Sequence, residues 1–231
     1  GAVWAAAEDG VALELVGKED QIEECLEKIH KDGFLSPCGK IGRSKRVRVD
    51  VKSLDIKITH ASEIIEMGEA PGQAIRKKKN SSIVLTVNAV ASGSSDALVA
   101  AGSTGAAMAA SLFGLGRIPG IDRPAIAVTL PTMKKPVVVI DGGANSNCTP
   151  QMLQQFAIMG RIFSKYVLDI DDPKTGVLNI GEEETKGNEQ AKATYQLLKQ
   201  VTNINFIGNA EGRDVPKGNV DVVICDEIGR A

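Results

Sequence analysis

Aromatic residues make up only 3% of this 231-residue chain, with one Trp, two Tyr and five Phe. That is too few for the stacked platforms on which proteins hold single-stranded nucleic acid. Histidine is scarcer still: there are two, His30 and His60, and no H-x-x-x-H pair. The four cysteines (Cys25, Cys38, Cys148 and Cys225) include no C-x-x-C. The thiolate and imidazole ligands of a zinc site are therefore missing, and the spacing suits free thiols in a reducing compartment. Neither sign of charge dominates, since a net charge of −2 exerts no pull toward nucleic acid or membrane. No apolar run reaches membrane-spanning length and no leader pattern is visible, so the sequence predicts a cytoplasmic protein. A G-x-S-x-G elbow, a P-loop lysine and the full dinucleotide glycine fingerprint are all lacking.

What is present is a recurring pattern. Apolar runs at residues 11–17, 54–58, 97–101, 125–130, 137–140, 176–180, 204–207 and 220–225 read as strands, and helical periodicities separate them. The run Val137, Val138, Val139, Ile140 is apolar throughout, as in a strand buried on both faces of a parallel sheet. Met152, Phe156, Met159 and Phe163 share one helical face and read as core. The strands lead into turns rich in Gly, Asn, Asp and Ser. This is the doubly wound α/β pattern, with a mostly parallel sheet between helices and ligands beyond the carboxyl ends of its strands. The turns at 102–105, 141–147, 181–188 and 208–213 are thus expected to converge on one cleft.

The stretch at 97–113 is the clearest instance, read as strand, turn and helix. Ser103 or Thr104 caps the helix, and the free N–H groups behind Gly102 and Gly105 attract an anion. Glu182, Glu183 and Glu184 read as a solvated acidic helix start and His60 as a packed, hydrogen-bonded residue. Basic stretches occur at 43–48 and at Arg76, Lys77, Lys78 and Lys79. The second stretch complements the dipole of a helix begun by Pro71, and Ser81 and Ser82 cap the next helix. What remains for chemistry is a set of backbone N–H groups and small polar side chains, with Lys186 and Arg213 as its cations. Such a set suits a phosphate or a developing oxyanion.

Several long motifs carry a resemblance. Residues 58–63 (ITHASE), 76–82 (RKKKNSS), 101–106 (AGSTGA), 115–125 (LGRIPGIDRPA), 178–189 (LNIGEEETKGNE) and 205–214 (NFIGNAEGRD) resemble the PlsX family of phosphate acyltransferases, collinearly over nearly the whole chain. The resemblance implies a fold like that of phosphate acetyltransferases and isocitrate dehydrogenases. It treats residues 1–231 as one such domain, incomplete at its amino and carboxyl ends, because the family's opening Met-Gly-Gly-Asp turn and closing Asp-Gly-Phe-x-Gly-Asn turn are absent. It implies transfer of a fatty acyl group from acyl carrier protein to inorganic phosphate, a homodimer, peripheral membrane association of the full-length protein, and no metal or organic cofactor. Within that frame Lys186, Arg213 and Asn209 are the expected catalytic residues. Ser103, Thr104, Gly105, Asp141, Asn145 and Asn188 are expected to bind substrate. Arg76, Lys77, Lys78 and Lys79 are expected to dock the acidic carrier protein. The alternatives are a fragment that only binds carrier protein, a relative acting on acyl-CoA, and a nicotinamide-dependent hydroxy-acid dehydrogenase.

Overall fold

In a computed structural model, which describes residues 2–35, 46–145 and 147–226, the chain divides into units Gly1–Gly116 and Arg117–Ala231. The first opens with α1 (Ala2–Asp9), β1 (Leu13–Gly17) and α2 (Glu19–Asp32). Acids fill the first turn of α2 and bases its last, in accord with the helix dipole. Gly33 ends the helix at φ 69, its N–H donating to the Ile29 carbonyl. A Cβ there would lie 2.4 Å from the Val47 carbonyl oxygen, so the site admits only glycine.

Strands β2 (Phe34–Leu35) and β3 (Arg46–Val47) pair antiparallel as a two-stranded sheet; of the basic stretch at 43–48, Arg43, Ser44 and Lys45 lie outside the described residues. Strand β4 (Ile56–His60) then lies parallel to β1, with Leu13 opposite Ile56 and Gly17 opposite His60. The Glu14 carboxylate stitches this pair, accepting from Thr59 Oγ1 (2.6 Å), Lys57 Nζ (2.9 Å) and Ser95 Oγ (3.0 Å). These bonds, that from Thr59 foremost, hold its pKa down at about 2.

Helices α3 (Pro71–Lys77), α4 (Ser82–Ala91) and α5 (Thr104–Gly114) follow and bury Ile75, Val87 and Ala110 between them. Pro71 begins α3 as expected. Ser81 stands at the N-cap of α4, yet its hydroxyl donates to the Lys78 carbonyl and caps nothing. The strand expected at residues 97–101 does not form. Three of these five residues are alanine, a poor strand former. Among the described residues β1 and β4 pair only with each other. Leu98 packs onto the helical core while Val99 is 93% exposed.

The second unit runs β5 (Val128–Leu130), β6 (Val137–Ile140), α6 (Pro150–Val167), β7 (Lys174–Leu178), α7 (Glu189–Lys199), β8 (Asn205–Ala210), α8 (Asp214–Lys217) and β9 (Val222–Ile224). One five-stranded sheet holds them in the order β5-β6-β9-β7-β8. β5 is antiparallel to β6, and every other pairing is parallel. The last strand in sequence thus sits centrally, and every residue of β6 and β9 is buried. One face presents Val138, Ile140, Val177, Val222 and Ile224 to Met152, Leu153, Phe156 and Ala157 of α6 and Leu198 of α7. Met159 and Phe163 pack at its margin, as their spacing predicts. A Cβ on Gly160 would stand 2.5 Å from Val222 Cγ1, so glycine lets α6 press onto the central strand. The other face gathers Val137, Val139, Val223, Cys225 and Ala210. The architecture is α/β with mostly parallel sheets, in line with the pattern of apolar runs. Among the described residues no helix is long and apolar enough to cross a membrane.

Candidate functional site at the carboxyl edge of the sheet

Because β6, β7, β8 and β9 run parallel, the turns that follow them leave one edge of the second unit's sheet. The turn after β6 is built around Asp141, which is 0% exposed. Its Oδ1 accepts from the N–H groups of Ile126 (2.9 Å) and Ala144 (3.0 Å). Its Oδ2 accepts from the N–H (2.7 Å) and the Nδ2 (2.8 Å) of Asn145. Asn145 Nδ2 also donates to the Pro124 carbonyl at 2.9 Å. These two residues, expected to bind substrate, join their polar groups to each other and to the chain. A buried carboxylate needs such donors, and here the backbone supplies them.

The turn after β7 carries the acidic run. Glu182, Glu183 and Glu184 do not start a helix; α7 begins later, with Asn188 at its N-cap accepting from Ala191 N–H at 2.8 Å. Gly187 sets the boundary. It sits at φ 86, and a Cβ there would fall 2.5 Å from Asn179 Oδ1, a conformation that breaks a helix and favours glycine. Asn188 is therefore a cap whose oxygen is engaged. Glu182 pairs with Arg213 at 3.5 Å. Glu184 accepts from Gln196 Nε2 and from Lys199 Nζ, which lowers its pKa.

Residues 208–210, read as part of a turn, extend β8. A register shift between Thr175 and Gly176 leaves Ile207 without a partner on β7, and Gly208 follows at φ 94. Such bulges re-aim the side chains after them. Asn209 Nδ2 donates to the Glu183 carbonyl at 2.8 Å, and the Lys186 N–H donates to the same oxygen at 3.0 Å. Arg213 reaches back to Glu182 and to Glu211 (3.0 Å). Asn209 and Arg213 thus both contact the turn that carries Lys186, Asn209 through the Glu183 carbonyl and Arg213 through Glu182. The Lys186 side chain is exposed and has no ion pair among the described residues. Asn209 is 8% exposed, and its Oδ1 has no hydrogen-bond partner among the described residues.

Cys148 lies between the first two turns, where Gln190 Nε2 of α7 holds its carbonyl at 2.8 Å. Burial, then the negative charges of Asp141 and Asp226, push its thiol up to about 11. It is therefore no ready nucleophile. Neither the cysteine nor its neighbours forms a metal cluster; among the described residues no group of His, Cys, Asp and Glu could hold an ion.

The remaining expected residues belong to the first unit. Ser103 sits at φ 39 as N-cap of α5, its Oγ accepting from Ala106 N–H at 3.3 Å and its own N–H directed at Met67 Sδ. The free donors of this helix end are thus the N–H groups of Thr104 and Gly105. A Cβ on Gly105 would lie 2.9 Å from Pro71 Cγ, so α3 and α5 meet there closely. In the basic run, Lys78 is spoken for by Glu69 (2.5 Å) and the Ile64 carbonyl (2.7 Å). Arg76 lies over the Phe113 ring, 5.5 Å from its centroid. Lys77 and Lys79 are exposed. His60 is hydrogen-bonded as expected, accepting from Glu19 N–H at 3.4 Å, but it is exposed and not packed.

Sequence reasoning missed the orphaned acceptor on Asn209, because the bulge that places it has no signature beyond Gly208. It also missed the closure of Asp141 upon Asn145, although an Asp followed four residues later by Asn across two glycines is a pattern for a side-chain-organised turn.

Comparison with known proteins follows the same lines. A family model described as "Fatty acid synthesis protein" matches residues 1–229. A phosphate acyltransferase of Desulforamulus reducens is 49% identical over 226 residues, covering 98% of this chain and 61% of the relative. Another, of Trichodesmium erythraeum, is 55% identical over 172 residues, covering 74% of this chain and 51% of the relative. The chain thus spans about three-fifths or less of the length of these relatives. Among solved structures, a phosphotransacetylase of Streptococcus pyogenes superposes with a TM-score of 0.58 at 16% identity, over 99% of this chain and 82% of the other. A branched-chain phosphotransacylase of Enterococcus faecalis gives 0.55 at 13%, over 95% and 81%. At that identity the likeness establishes a shared fold.

Proposed function

The chain belongs to the fatty acid synthesis protein family, and on that premise we propose that it performs acyl transfer from acyl carrier protein to inorganic phosphate in lipid synthesis. The observation that carries this reading is the near-complete match to proteins named phosphate acyltransferase. The position of Lys186, Asn209 and Arg213 at the carboxyl edge of a parallel sheet supports it.

A phosphate oxygen attacks the thioester carbonyl, the C–S bond breaks, and the carrier leaves as thiol with the proton that phosphate gives up. Phosphate is already an anion near neutral pH, and a thiolate with an ordinary pKa of about 8.5 leaves readily. No strong general base is required. The protein's contribution is placement and charge stabilisation. Lys186, free of ion pairs among the described residues, is the first cation for phosphate or the oxyanion. Arg213 is the second, once it yields one of its carboxylate partners. With its thiol pushed up to about 11, Cys148 is not the group that carries the acyl chain. Ile180, 83% exposed on the β7 turn, offers apolar contact to the incoming acyl arm. Asp141, Asn145 and Asn188 serve as scaffold for these turns, and the Thr104 and Gly105 N–H groups are an anion-favouring end in the first unit. Arg76, Lys77 and Lys79 make a basic face for an acidic carrier protein, and the working enzyme is a cytoplasmic homodimer that touches the membrane peripherally.

The test is to mix the protein with an acyl-carrier thioester and follow free thiol and acyl phosphate as phosphate is varied. Saturable, phosphate-dependent release of both is expected. Release independent of phosphate would overturn the reading in favour of a thioesterase, and binding of the carrier without release in favour of a non-catalytic module.

A further inference from the structure

The Asn209 side chain carries an acceptor that the described residues leave without a donor. Its Nδ2 is fixed by the Glu183 carbonyl at 2.8 Å. Flipping the amide would set oxygen against oxygen, so the orientation is determined by that contact. Oδ1 is then left without a donor, in a residue that is 8% exposed. A buried acceptor without a partner is unfavourable and calls for a donor from outside the chain or a role in the chemistry. What binds here must bring a hydrogen-bond donor, and it must suit a turn that carries Lys186, whose backbone N–H shares the Glu183 carbonyl, and Glu182, paired to Arg213.

An anion that also donates a hydrogen bond meets both demands. Phosphate keeps at least one P–OH at any pH near neutral, whereas sulfate keeps none. We propose that Asn209 Oδ1 accepts the P–OH of the phosphate nucleophile and thereby selects hydrogen phosphate over fully deprotonated oxyanions such as sulfate. This rests on the reading that the carboxyl edge holds phosphate. Facing sulfate, the same oxygen meets only lone pairs, and the site loses a hydrogen bond and gains a repulsion. Lys186 and Arg213 do not supply the distinction, because hydrogen phosphate and sulfate are both dianions and charge alone does not tell them apart.

Access to Oδ1 comes from the turn above it. Residues 182–186 lie between Gly181 and Gly187, the latter at φ 86. Two amides hold their backbone, Asn209 Nδ2 on the Glu183 carbonyl and Asn179 Nδ2 on the Lys186 carbonyl; their side chains are anchored through exposed contacts, Glu182 to Arg213 and Glu184 to Gln196 and Lys199. Surface pairs of this kind contribute little to holding a turn shut. Segments held by few buried contacts open most readily; a transient opening admits the anion, and on closing the Glu183 carbonyl again holds Asn209 Nδ2 so that Oδ1 faces the bound anion.

Four tetrahedral anions test the proposal by titration calorimetry at pH 7.5 and constant ionic strength: phosphate and arsenate, which carry a proton, and sulfate and selenate, which do not. Phosphate and arsenate should bind about 10- to 100-fold more tightly than the other pair, the discrimination expected when a site's buried polar group goes unpaired. Asn209→Ala should abolish the preference, chiefly by weakening phosphate. Lys186→Ala should weaken all four anions and leave the ratio intact. Equal binding of the four anions by the unaltered chain, or tighter binding of sulfate, would overturn the proton-reading role while leaving the phosphate site standing. Binding of none of them would overturn the phosphate site with it. The four-anion comparison needs no variant, so it decides the matter even where Asn209→Ala does not fold.

Discussion

Asp141→Asn is the substitution that most sharply separates scaffold from ligand contact. The carboxylate is wholly buried and accepts four N–H bonds, two on each oxygen. Asparagine preserves the shape and keeps one acceptor oxygen, so two of the four bonds survive. On the other side an NH2 replaces oxygen and meets two donors. Hydrogen bonds to a charged acceptor contribute about 1.5–3 kcal/mol each, and they are not additive. Losing two and leaving their donors buried should therefore cost about 3–5 kcal/mol, in the range for breaking one side of a buried charged cluster. At roughly 2–4 °C per kcal/mol for a chain of this size, melting should fall by about 6–20 °C. Urea unfolding followed by far-UV circular dichroism measures it, with the thermal midpoint as a second reading. Asp141→Asn melting with the unaltered chain while losing phosphate affinity would refute the reasoning. It would return the carboxylate to the role of substrate contact.

Three further outcomes follow from the same geometry. Lys186→Ala should leave the melting temperature unchanged, since no ion pair among the described residues is lost, and should lower acyl-phosphate formation about 10²–10³-fold, as for a missing oxyanion donor; near-normal turnover would place the lysine back on an inert surface. Glu14, held at about 2 against an ordinary 4.5, contributes stability that is full above its unfolded pKa and disappears as pH falls through the folded value. Unfolding curves between pH 5 and pH 2 should therefore show a loss of about 1–2 kcal/mol, after allowing for solvent screening, that Glu14→Gln lacks. Cys148, pushed up to about 11, is only about 10⁻³ thiolate at pH 8, so iodoacetamide should modify exposed Cys25 first, and Cys148→Ala should keep acyl transfer intact.

The sheet was legible in the sequence wherever burial alone decides structure. Four consecutive apolar residues at 137–140 occur where both faces of a strand are covered, and every one of them is buried. The helix carrying Met152, Phe156, Met159 and Phe163 follows from periodicity and from Pro150 at its start. Reading failed where the outcome depends on a partner strand or on one backbone angle. Residues 97–101 are apolar enough for a strand, but no neighbour in the first unit pairs with them among the described residues. The start of α7 is fixed by the conformation of Gly187 and the Asn188 cap, which override the helix preference of three glutamates. The place of β9 between β6 and β7 is a non-local choice that no local pattern encodes.

The same distinction runs through the site. Residue type and turn position select Asp141, Asn145, Asn188, Lys186, Asn209 and Arg213 as one class, polar groups at strand ends. Hydrogen bonding divides the class in a way composition does not. The Asp141 carboxylate and the cap oxygen of Asn188 have their partners within the chain, and the Asn145 amide has both of its own. Groups so satisfied gain little from a ligand, because binding would first have to break what they already hold. Lys186 and Asn209 are incomplete, one a cation without an ion pair among the described residues and the other an acceptor without a donor. For the buried Asn209 oxygen that incompleteness is unfavourable in the free protein, and a ligand that brings it a donor removes the cost. An anion carrying a proton does so, which ties the fold's one orphaned asparagine oxygen among the described residues to the nucleophile of the proposed reaction.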